Sequence, residues 1–205
     1  MTEGAWNKDY SKRKELWKGI TNFEFGFPKN SKVLELGCGN GKTLLALTNR
    51  NLEIHAIDYS EKAVELCKQI VPANEKITIR KMNAINLEYD NEFFDFVICF
   101  HVLAHELEAE RKKIIQEITR VLKKNGKVYF RDFGISDFRF GMKGVEVEKN
   151  TFKRHTGILT HYFTKKEVEE LFKDYKNEWF FDDLWKVKYD GLKTREELNF
   201  VFAKN

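Results

Sequence analysis

Three glycines spaced two residues apart follow a short apolar run in the stretch VLELGCGNGKT, which extends from Val33 to Thr43. Glycine adopts positive φ without strain and lets a ligand approach the backbone closely, so the stretch predicts a sharp turn between a strand and a helix. Such turns place ligands at the carboxyl end of a strand in a parallel sheet. The chain is therefore expected to adopt an α/β fold with a site at this turn.

The tail Gly41-Lys42-Thr43 resembles the end of a phosphate-binding P-loop. That loop needs four residues between its first glycine and the Gly-Lys-[Ser/Thr] triplet, whereas three separate Gly37 from Gly41. The dinucleotide pattern G-x-G-x-x-G fails as well, because Lys42 stands where its last glycine belongs. The spacing thus favours a nucleoside cofactor over nucleotide hydrolysis.

Short apolar runs alternate with segments of helical period, which predicts a parallel sheet covered by helices. The fold class is a Rossmann-like, doubly wound α/β sheet of seven strands, mostly parallel, with an antiparallel final strand pair. The predicted strands are 32–36, 53–57, 76–82, 94–100, 127–133, 179–189 and 198–203. Four helices are predicted. Two of them span 43–49 and 109–122, and the second is stopped by Asn125-Gly126. Another is capped by Ser60 and has Ala63, Cys67 and Ile70 on its apolar face, and the last begins with a capping box from Thr164 to Glu167.

At 205 residues the chain has the length of one domain, spanning 1–205. We expect a helical lead-in over 1–30, which contains Trp6, Tyr10 and Trp17, and an irregular insert over 134–163 that covers the substrate.

Composition excludes several classes of protein. Hydrophobic residues make up 42% of the chain, more than a disordered chain carries, and the net charge of +4 permits an anionic partner without requiring one. The three cysteines show no CxxC spacing, so they predict neither a disulfide framework nor a zinc site. No apolar run reaches the ~18 residues of a membrane span. We expect a cytoplasmic protein with no membrane partner.

Asp58 stands at the tip of the second predicted strand, 17 residues after Gly41. Acids at a comparable offset, roughly 20 residues, bind ribose hydroxyls in dinucleotide-binding sheets. An aspartate after a strand is also a common turn or helix-cap residue, and this alternative stays open.

Taken together, VLELGCGNG, AIDYS, FDFVICFHVLAHEL and LKKNGKVYFRDF resemble the motifs of the class I S-adenosylmethionine-dependent methyltransferases. The resemblance spans nearly the whole chain and implies S-adenosylmethionine as cofactor. It implies that Glu35 and the three glycines, Gly37, Gly39 and Gly41, shape the methionine side of the pocket and that Asp58 holds the ribose. It further implies a cofactor-binding role for Tyr59, Asn83, Ala84 and Phe100.

Within this superfamily the chain is most similar to the tRNA cytidine-N3 methyltransferases. The similarity lies in the early Trp6-x-x-x-Tyr10, in Arg131-Asp132-Phe133-Gly134 and in Asn150-x-Phe152-x-Arg154-x-x-Gly157. It implies that Trp6 and Tyr10 close over the cofactor and that the acceptor is a tRNA base. A small-molecule acceptor is the alternative, and a non-catalytic subunit of another methyltransferase is a third.

Asp132 is the candidate for stabilising positive charge on a methylated base, with Arg131 contacting phosphate or substrate. An Arg-Asp pair that ties the insert to the sheet is the structural alternative. His101 is a candidate base, although packing against a helix is the commoner outcome for such a residue. His101 and His105 are four residues apart but lack a third ligand, so no metal is expected.

The region 138–166 interleaves aromatic and basic residues, which suits single-stranded RNA, because basic groups follow phosphates and aromatic rings stack on bases. Arg139, Asn150 and Arg154 are the substrate-binding candidates. The alternative is that the aromatic rings fix the insert onto the sheet. The other basic residues of the region are Lys143, Lys149, Lys153, Lys165 and Lys166, and its aromatic residues are Phe138, Phe140, Phe152, Tyr162 and Phe163.

Overall fold

The computed structural model describes residues 3–12, 19–142 and 144–205, so Trp17 and Lys143 lie outside the described residues. The helices are α1 (Glu3–Lys12), α2 (Lys42–Leu47), α3 (Glu61–Ile70), α4 (Glu108–Val121) and α5 (Lys165–Leu171), with a 3₁₀ segment at Leu103–His105. The strands are β1 (Lys32–Leu36), β2 (Glu53–Asp58), β3 (Ile77–Lys81), β4 (Phe94–Phe100), β5 (Leu122–Phe133), β6 (Gly144–Glu148), β7 (Thr151–Arg154), β8 (Leu159–His161), β9 (Tyr175–Lys188) and β10 (Leu192–Lys204).

The predicted seven-stranded sheet is confirmed, in the order β3-β2-β1-β4-β5-β10-β9. The first five of these strands are parallel, and β10 runs antiparallel to both of its neighbours, β5 and β9. The strand order reverses between β1 and β4, where open α/β sheets bind ligands. We call this side of the sheet the carboxyl edge, defined by the strand ends Leu36, Asp58 and Phe100.

Both faces of the sheet are covered. On one face, α4 and α5 bury Ile114, Ile118 and Val168 completely. The other face is covered by α2, α3 and the segment 23–27, in which Phe25 and Phe27 pack against the ring of Tyr129. Within the predicted lead-in over 1–30, helix is thus confirmed for α1, whereas the described residues 19–30 form an irregular aromatic strap.

Helix α3 begins as predicted, because the Ser60 hydroxyl accepts a hydrogen bond from the Ala63 amide at 3.2 Å. Ala63 and Cys67 are fully buried. Ile70, however, is 36% exposed, so its place on the apolar face was wrong. The helix ends at Ile70 and the chain becomes extended, which turns Val71 into the core instead.

The predicted helix stop at Asn125-Gly126 is also wrong. Helix α4 ends at Val121, and β5 begins at the next residue. The pairing between β4 and β5 jumps from Leu122 to Lys127, so the Asn-Gly pair lies in a bulge inside the strand. A Cβ on Gly126 would lie 2.9 Å from the Asp95 carbonyl oxygen, which explains why glycine is needed there.

The insert is not irregular, since β6, β7 and β8 form a separate antiparallel sheet. Its strands are three to five residues long, too short for their alternation to stand out in the sequence. The final strand pair is longer than predicted and joins β9 to β10 along nearly its whole length. None of the described helices has the length and apolar character needed to span a membrane.

Candidate active site

The glycine turn lies at the carboxyl edge, between β1 and α2. Gly37, Gly39 and Gly41 all have positive φ, at 65°, 53° and 86°. A Cβ on Gly37 would lie 2.8 Å from Cγ2 of Val102, so this turn touches the segment that follows β4. Because Gly37 has no side chain, the segments that follow β1 and β4 can approach each other closely.

Asp58, the last residue of β2, is hydrogen-bonded to the glycine turn. Its Oδ2 accepts a hydrogen bond from the Gly39 amide at 2.9 Å, and its Oδ1 accepts one from the Ser60 amide at 2.8 Å. Burial raises the pKa of Asp58 to about 6, against the opposing effect of these backbone hydrogen bonds. Each oxygen retains lone-pair capacity for a further donor, so the turn role does not exclude contact with ribose hydroxyls.

Glu35 lies inside β1 and is almost completely buried. Burial raises the pKa of its carboxyl to about 8, with a smaller contribution from the charge of Asp58, while a hydrogen bond with Thr43 acts in the opposite direction. Its Oε2 has no hydrogen-bond partner among the described residues. A buried carboxyl group with a free oxygen is costly, and a cationic or hydrogen-donating ligand would offset that cost.

Three of the predicted cofactor-binding residues follow β2 and β3. The Asn83 side-chain oxygen accepts a hydrogen bond from the Ile85 amide at 3.1 Å, which shapes the turn there. Ala84 is buried in the core. Tyr59 is half-buried beside Asp58. Asn83 therefore keeps its amide nitrogen for a ligand, although its oxygen already serves the local turn.

Helix α1 crosses the carboxyl edge and lies over the glycine turn. A Cβ on Gly39 would be 2.8 Å from the hydroxyl oxygen of Tyr10, and the Trp6 ring packs edge-on against His105 at 4.8 Å between centroids. The Asn7 side-chain oxygen accepts a hydrogen bond from the Ser60 hydroxyl at 2.7 Å. Trp6 and Tyr10 are thus brought to the predicted site, and Asn7 fixes the helix beside Asp58.

His101 follows β4 directly and takes a positive φ of 56°. Its Nδ1 lies 3.6 Å from Asp132 Oδ1, and its Nε2 lies 3.4 Å from Glu197 Oε1. The imidazole stacks on Phe133 at 4.7 Å between ring centroids. The side chain is 34% exposed, so it stands between two carboxylates with one surface open.

Asp132 is completely buried, and its Oδ2 accepts a hydrogen bond from the Ala104 amide at 2.9 Å. Arg131 points to the opposite face of β5, where its Nε donates to the Asn199 side-chain oxygen at 2.6 Å. The structural alternative, an Arg-Asp pair that ties the insert to the sheet, is therefore wrong. Consecutive strand residues point in opposite directions, so the two side chains make different hydrogen bonds. Arg131 Nε also lies 3.8 Å from Oε2 of Glu197, the second carboxylate beside His101.

Phe100 is buried under the aromatic strap, with ring centroids 5.4 Å from Phe23 and 5.9 Å from Phe25. The Arg131 guanidinium carbon lies 4.8 Å from the Phe100 ring centroid. The structure therefore places Phe100 in a packed aromatic cluster at the carboxyl edge.

The insert candidates lie in different surroundings. Arg139 donates to both carboxylate oxygens of Asp137, at 2.8 and 3.0 Å. Asn150 has a positive φ of 59° in the turn between β6 and β7. Arg154 is half-buried near the end of β7. Arg139 is thus held within the protein, whereas Arg154 keeps part of its surface exposed.

Most aromatic side chains of the insert fix it in place, in agreement with the structural alternative. Phe152, Tyr162 and Phe163 are buried, while Phe140 remains 39% exposed. His105 joins the insert to the carboxyl edge, because its Nδ1 lies 2.7 Å from the Leu159 carbonyl oxygen. Burial lowers the pKa of His105. Among the described residues, no cluster of His, Cys, Asp and Glu side chains is arranged to hold a metal ion.

The sequence reasoning missed Asn7 and Glu197. Asn7 lies between Trp6 and Tyr10 and could have been found as part of that motif. Glu197 had no local signal, since it reaches His101 only because β10 pairs with β5 and places Glu197 opposite Phe133.

Comparison with known proteins gives a domain match and a shared fold. Residues 34–130 match the family model described as a methyltransferase domain. Two solved structures described as S-adenosylmethionine-dependent methyltransferases share the fold. One, from Methanosarcina mazei, has a TM-score of 0.71 at 22% identity and covers 87% of this chain and 94% of its own. The other, from Anabaena variabilis, has a TM-score of 0.74 at 17% identity, with coverage of 100% and 96%. Residues 34–130 thus match a methyltransferase domain, and the chain shares the fold of these two methyltransferases, in agreement with the predicted class.

The curated relatives are described as methyltransferases that act on different acceptors. The tRNA N(3)-methylcytidine methyltransferase trm140 of Schizosaccharomyces pombe is 29% identical over 154 residues, covering 68% of this chain and 49% of that protein. The tRNA N(3)-cytidine methyltransferase METTL2 of Mus musculus is 29% identical, with coverage of 71% and 41%. O-methyltransferase 3 of Dictyostelium discoideum is 29% identical, with coverage of 81% and 41%. The chain spans about half the length of these relatives, or less.

Proposed function

We propose that this chain binds S-adenosylmethionine at the glycine turn and transfers its methyl group to a base in tRNA, with N3 of cytidine as the acceptor atom. The observation that carries the cofactor proposal is the joint arrangement of Gly39, Asp58 and Glu35 at the carboxyl edge. The tRNA proposal is supported by the relatives described as tRNA N(3)-cytidine methyltransferases and by the surface of the insert.

The residues present fit this cofactor. Asp58 has acceptor capacity for ribose hydroxyls, and the unpartnered Oε2 of Glu35 suits the positive charge of the methionine part. A side chain at position 39 would fill the space beside the turn, which the Tyr10 hydroxyl of α1 borders on the other side. Tyr59, Asn83 and Ala84 would border the adenine.

The bound cofactor supplies an already activated methyl group, so the protein has mainly to align the acceptor with it. His101 stands one residue from Val102, which touches the glycine turn at Gly37. Asp132 and Glu197 flank His101 on both sides. Arg131 Nε lies 3.8 Å from Glu197 Oε2 and offsets part of this charge, which leaves two carboxylates to one guanidinium. A base that becomes positively charged on ring-nitrogen methylation would be stabilised by the remaining negative charge.

The insert offers contacts for RNA beside that point. Lys149 and Lys153 are exposed and Arg154 is half-buried, so their positive charge is available to phosphates. The exposed Phe140 offers a ring for stacking. Arg139 is held by a two-bond contact with Asp137, and its proposed role is to shape the insert around the substrate.

A small-molecule hydroxyl acceptor is the second candidate. Attack by a hydroxyl group needs removal of a proton, and a partly exposed histidine between two carboxylates can accept one. The relative described as an O-methyltransferase covers the largest share of this chain among those compared above. A non-catalytic partner subunit is the remaining alternative.

The deciding experiment incubates the full chain with methyl-labelled S-adenosylmethionine and unmodified tRNA, followed by nucleoside digestion and mass spectrometry. Label in N3-methylcytidine supports the proposal, and label in another nucleoside overturns the choice of acceptor atom. If the cofactor binds but label passes only to hydroxyl compounds of low mass, the second candidate is correct. Cofactor binding with no transfer to either substrate class would favour the partner subunit.

A further inference from the structure

Strand β9 forms the outer edge of the seven-stranded sheet, and in the described part of the chain it pairs with β10 alone. It is 14 residues long and contains neither proline nor glycine. Trp179, Phe181 and Leu184 are 44%, 51% and 54% exposed on it. A long edge strand with exposed apolar side chains and unpaired backbone groups is a template for another strand.

The end of β9 projects beyond the rest of the sheet. Strand β10 pairs with β5 only from Glu197 to Ala203, whereas its pairing with β9 continues to Leu192. The inner side of this two-stranded ribbon is covered, because the Phe138 amide donates to the Thr194 carbonyl at 2.9 Å. No described residue covers the outer side. A two-stranded ribbon is marginally stable by itself, so a third strand would stabilise it.

We propose that two copies of this chain pair through β9, antiparallel, around a two-fold axis at Leu184. Their two sheets then form one continuous sheet. In this register Leu184 faces its own symmetry mate, Asp182 faces Lys186, and Phe181 faces Val187. The last two pairs occur twice, as the symmetry of an isologous interface requires.

The charges of β9 favour this register. An axis at Asp182 or at Asp183 would place that acid opposite itself, and like charges directly opposite each other destabilise a strand pair. An axis at Phe181 would set Lys176 opposite Lys186 and would include the irregularity where the β9–β10 pairing shifts near Trp179. An axis at Trp185 would pair Asp182 with Lys188, but it would also place Leu184 opposite Lys186, which loses the apolar pair.

Within the described part of the chain, neither member of the charged pair has an opposite charge beside it. Among the described residues, no basic side chain forms an ion pair with Asp182, and its Oδ1 has no hydrogen-bond partner. Burial and the neighbouring charge of Asp183 raise the pKa of Asp182. Lys186 Nζ donates to the Thr194 hydroxyl at 2.6 Å and forms no ion pair with a described residue. Pairing between copies would give each group an opposite charge.

Charge reversal tests the interface by sedimentation equilibrium of the full chain. The wild-type chain is expected to dimerise. Asp182→Lys and Lys186→Asp each place two pairs of like charges in the interface, so each should raise the dimer dissociation constant by about tenfold. The double variant Asp182→Lys/Lys186→Asp restores opposite charges and should return close to the wild-type value. A wild-type monomer at the highest soluble concentration, or a double variant as weak as the single ones, overturns the proposal.

Oxidative cross-linking tests the register with copper-phenanthroline and oxygen. Directly opposed residues have Cα atoms about 4.5–5.5 Å apart, within the range of a disulfide, so Leu184→Cys should give a covalent dimer. Phe181→Cys and Lys186→Cys are matched controls, since each would lie at least ~13 Å from its own mate. The three native cysteines are buried. Cross-linking at Phe181→Cys, or at none of the three positions in a dimeric protein, overturns this interface.

Discussion

The backbone amide of Gly39 donates to Asp58 Oδ2 at 2.9 Å, which joins the turn after β1 to the end of β2. The other oxygen of the same carboxylate accepts from the Ser60 amide, at the start of α3. Asp58 therefore organises the glycine turn in addition to its proposed contact with ribose. The two roles are compatible, because a carboxylate offers more acceptor sites than these two bonds use.

Replacement of Asp58 should weaken cofactor binding through both roles. Asparagine has one acceptor oxygen for two amide donors, so Asp58→Asn should raise the Kd for S-adenosylmethionine by about tenfold, the equivalent of one charged hydrogen bond. Asp58→Ala should raise it further. Calorimetric titration checks this, with Asp174→Ala, an exposed acid, as the control. Unchanged affinity in Asp58→Ala would contradict the proposed site.

Gly39→Ala should displace α1. The positive φ disfavours alanine by ~1–2 kcal/mol, and the new methyl group would lie 2.8 Å from the Tyr10 hydroxyl oxygen. Gly141→Ala is the matched control, because its φ is 69° but the nearest atoms lie 3.8 Å away. Hydrogen exchange of the amides of residues 3–12 should accelerate in Gly39→Ala alone. Equal exchange in both variants would show that α1 is not held by Tyr10 over the turn.

Replacement of Asp132 should mainly lower stability, whereas replacement of His101 should mainly lower activity. Asp132→Ala leaves the buried Ala104 amide without its acceptor, so it should lower the free energy of unfolding by ~1–3 kcal/mol. His101→Ala removes a partly exposed ring and should reduce kcat for methyl transfer with a smaller loss of stability.

Thermal unfolding and single-turnover assays on the two variants separate these effects. If Asp132→Ala keeps the wild-type Tm while losing activity, the carboxylate acts on the substrate rather than on the fold.

Stability without cofactor should fall as pH rises from 6 to 8. The pKa of buried Glu35 is about 8 in the folded chain against 4.5 for an ordinary glutamate, so in this window the folded state holds a proton that the unfolded state has lost. Unfolding is then increasingly favoured with rising pH. Burial raises the pKa of Glu106 to about 8 as well, and it contributes in the same direction.

Between pH 6 and pH 8, the free energy of unfolding should fall by about 2 kcal/mol less in Glu35→Gln than in the wild type. One pKa unit corresponds to ~1.4 kcal/mol, and most of this window lies below the pKa of Glu35 in the folded chain. Denaturant unfolding at pH 6 and pH 8 measures it, with the exposed Glu88→Gln as a control. A fall of the same size in Glu35→Gln and wild type would show that the Glu35 carboxyl ionises normally.

Salt dependence should report the RNA contact of the insert. If Arg154 neutralises one phosphate, Arg154→Ala should reduce the slope of log K against log salt concentration by about 0.7–0.9. Lys68→Ala removes an equal charge from the exposed side of α3, outside the insert, and should leave the slope unchanged. Equal slopes in all three proteins would count against an RNA path across Arg154.

Local signals in the sequence predicted much of the fold. The bounds of β1 and β4 agree with the prediction, because mostly apolar segments of five and seven residues that end at Gly37 and His101 are typical of buried strands. The Asn125-Gly126 pair shows the limit of such signals. The same residues can end a helix or form a bulge, and here the pairing register between β4 and β5 places them in a bulge.

The sequence by itself determined the glycine turn, the acid that follows β2 and the alternation of strands with helices, because each depends on residues close together along the chain. Only the tertiary structure decided that Glu197 and Asp132 flank His101, that α1 lies over Gly39, and that β9 is left at an edge. The physical reason is that these relationships follow from strand order, register and burial. Those properties arise from pairing between distant segments, and no local period encodes them.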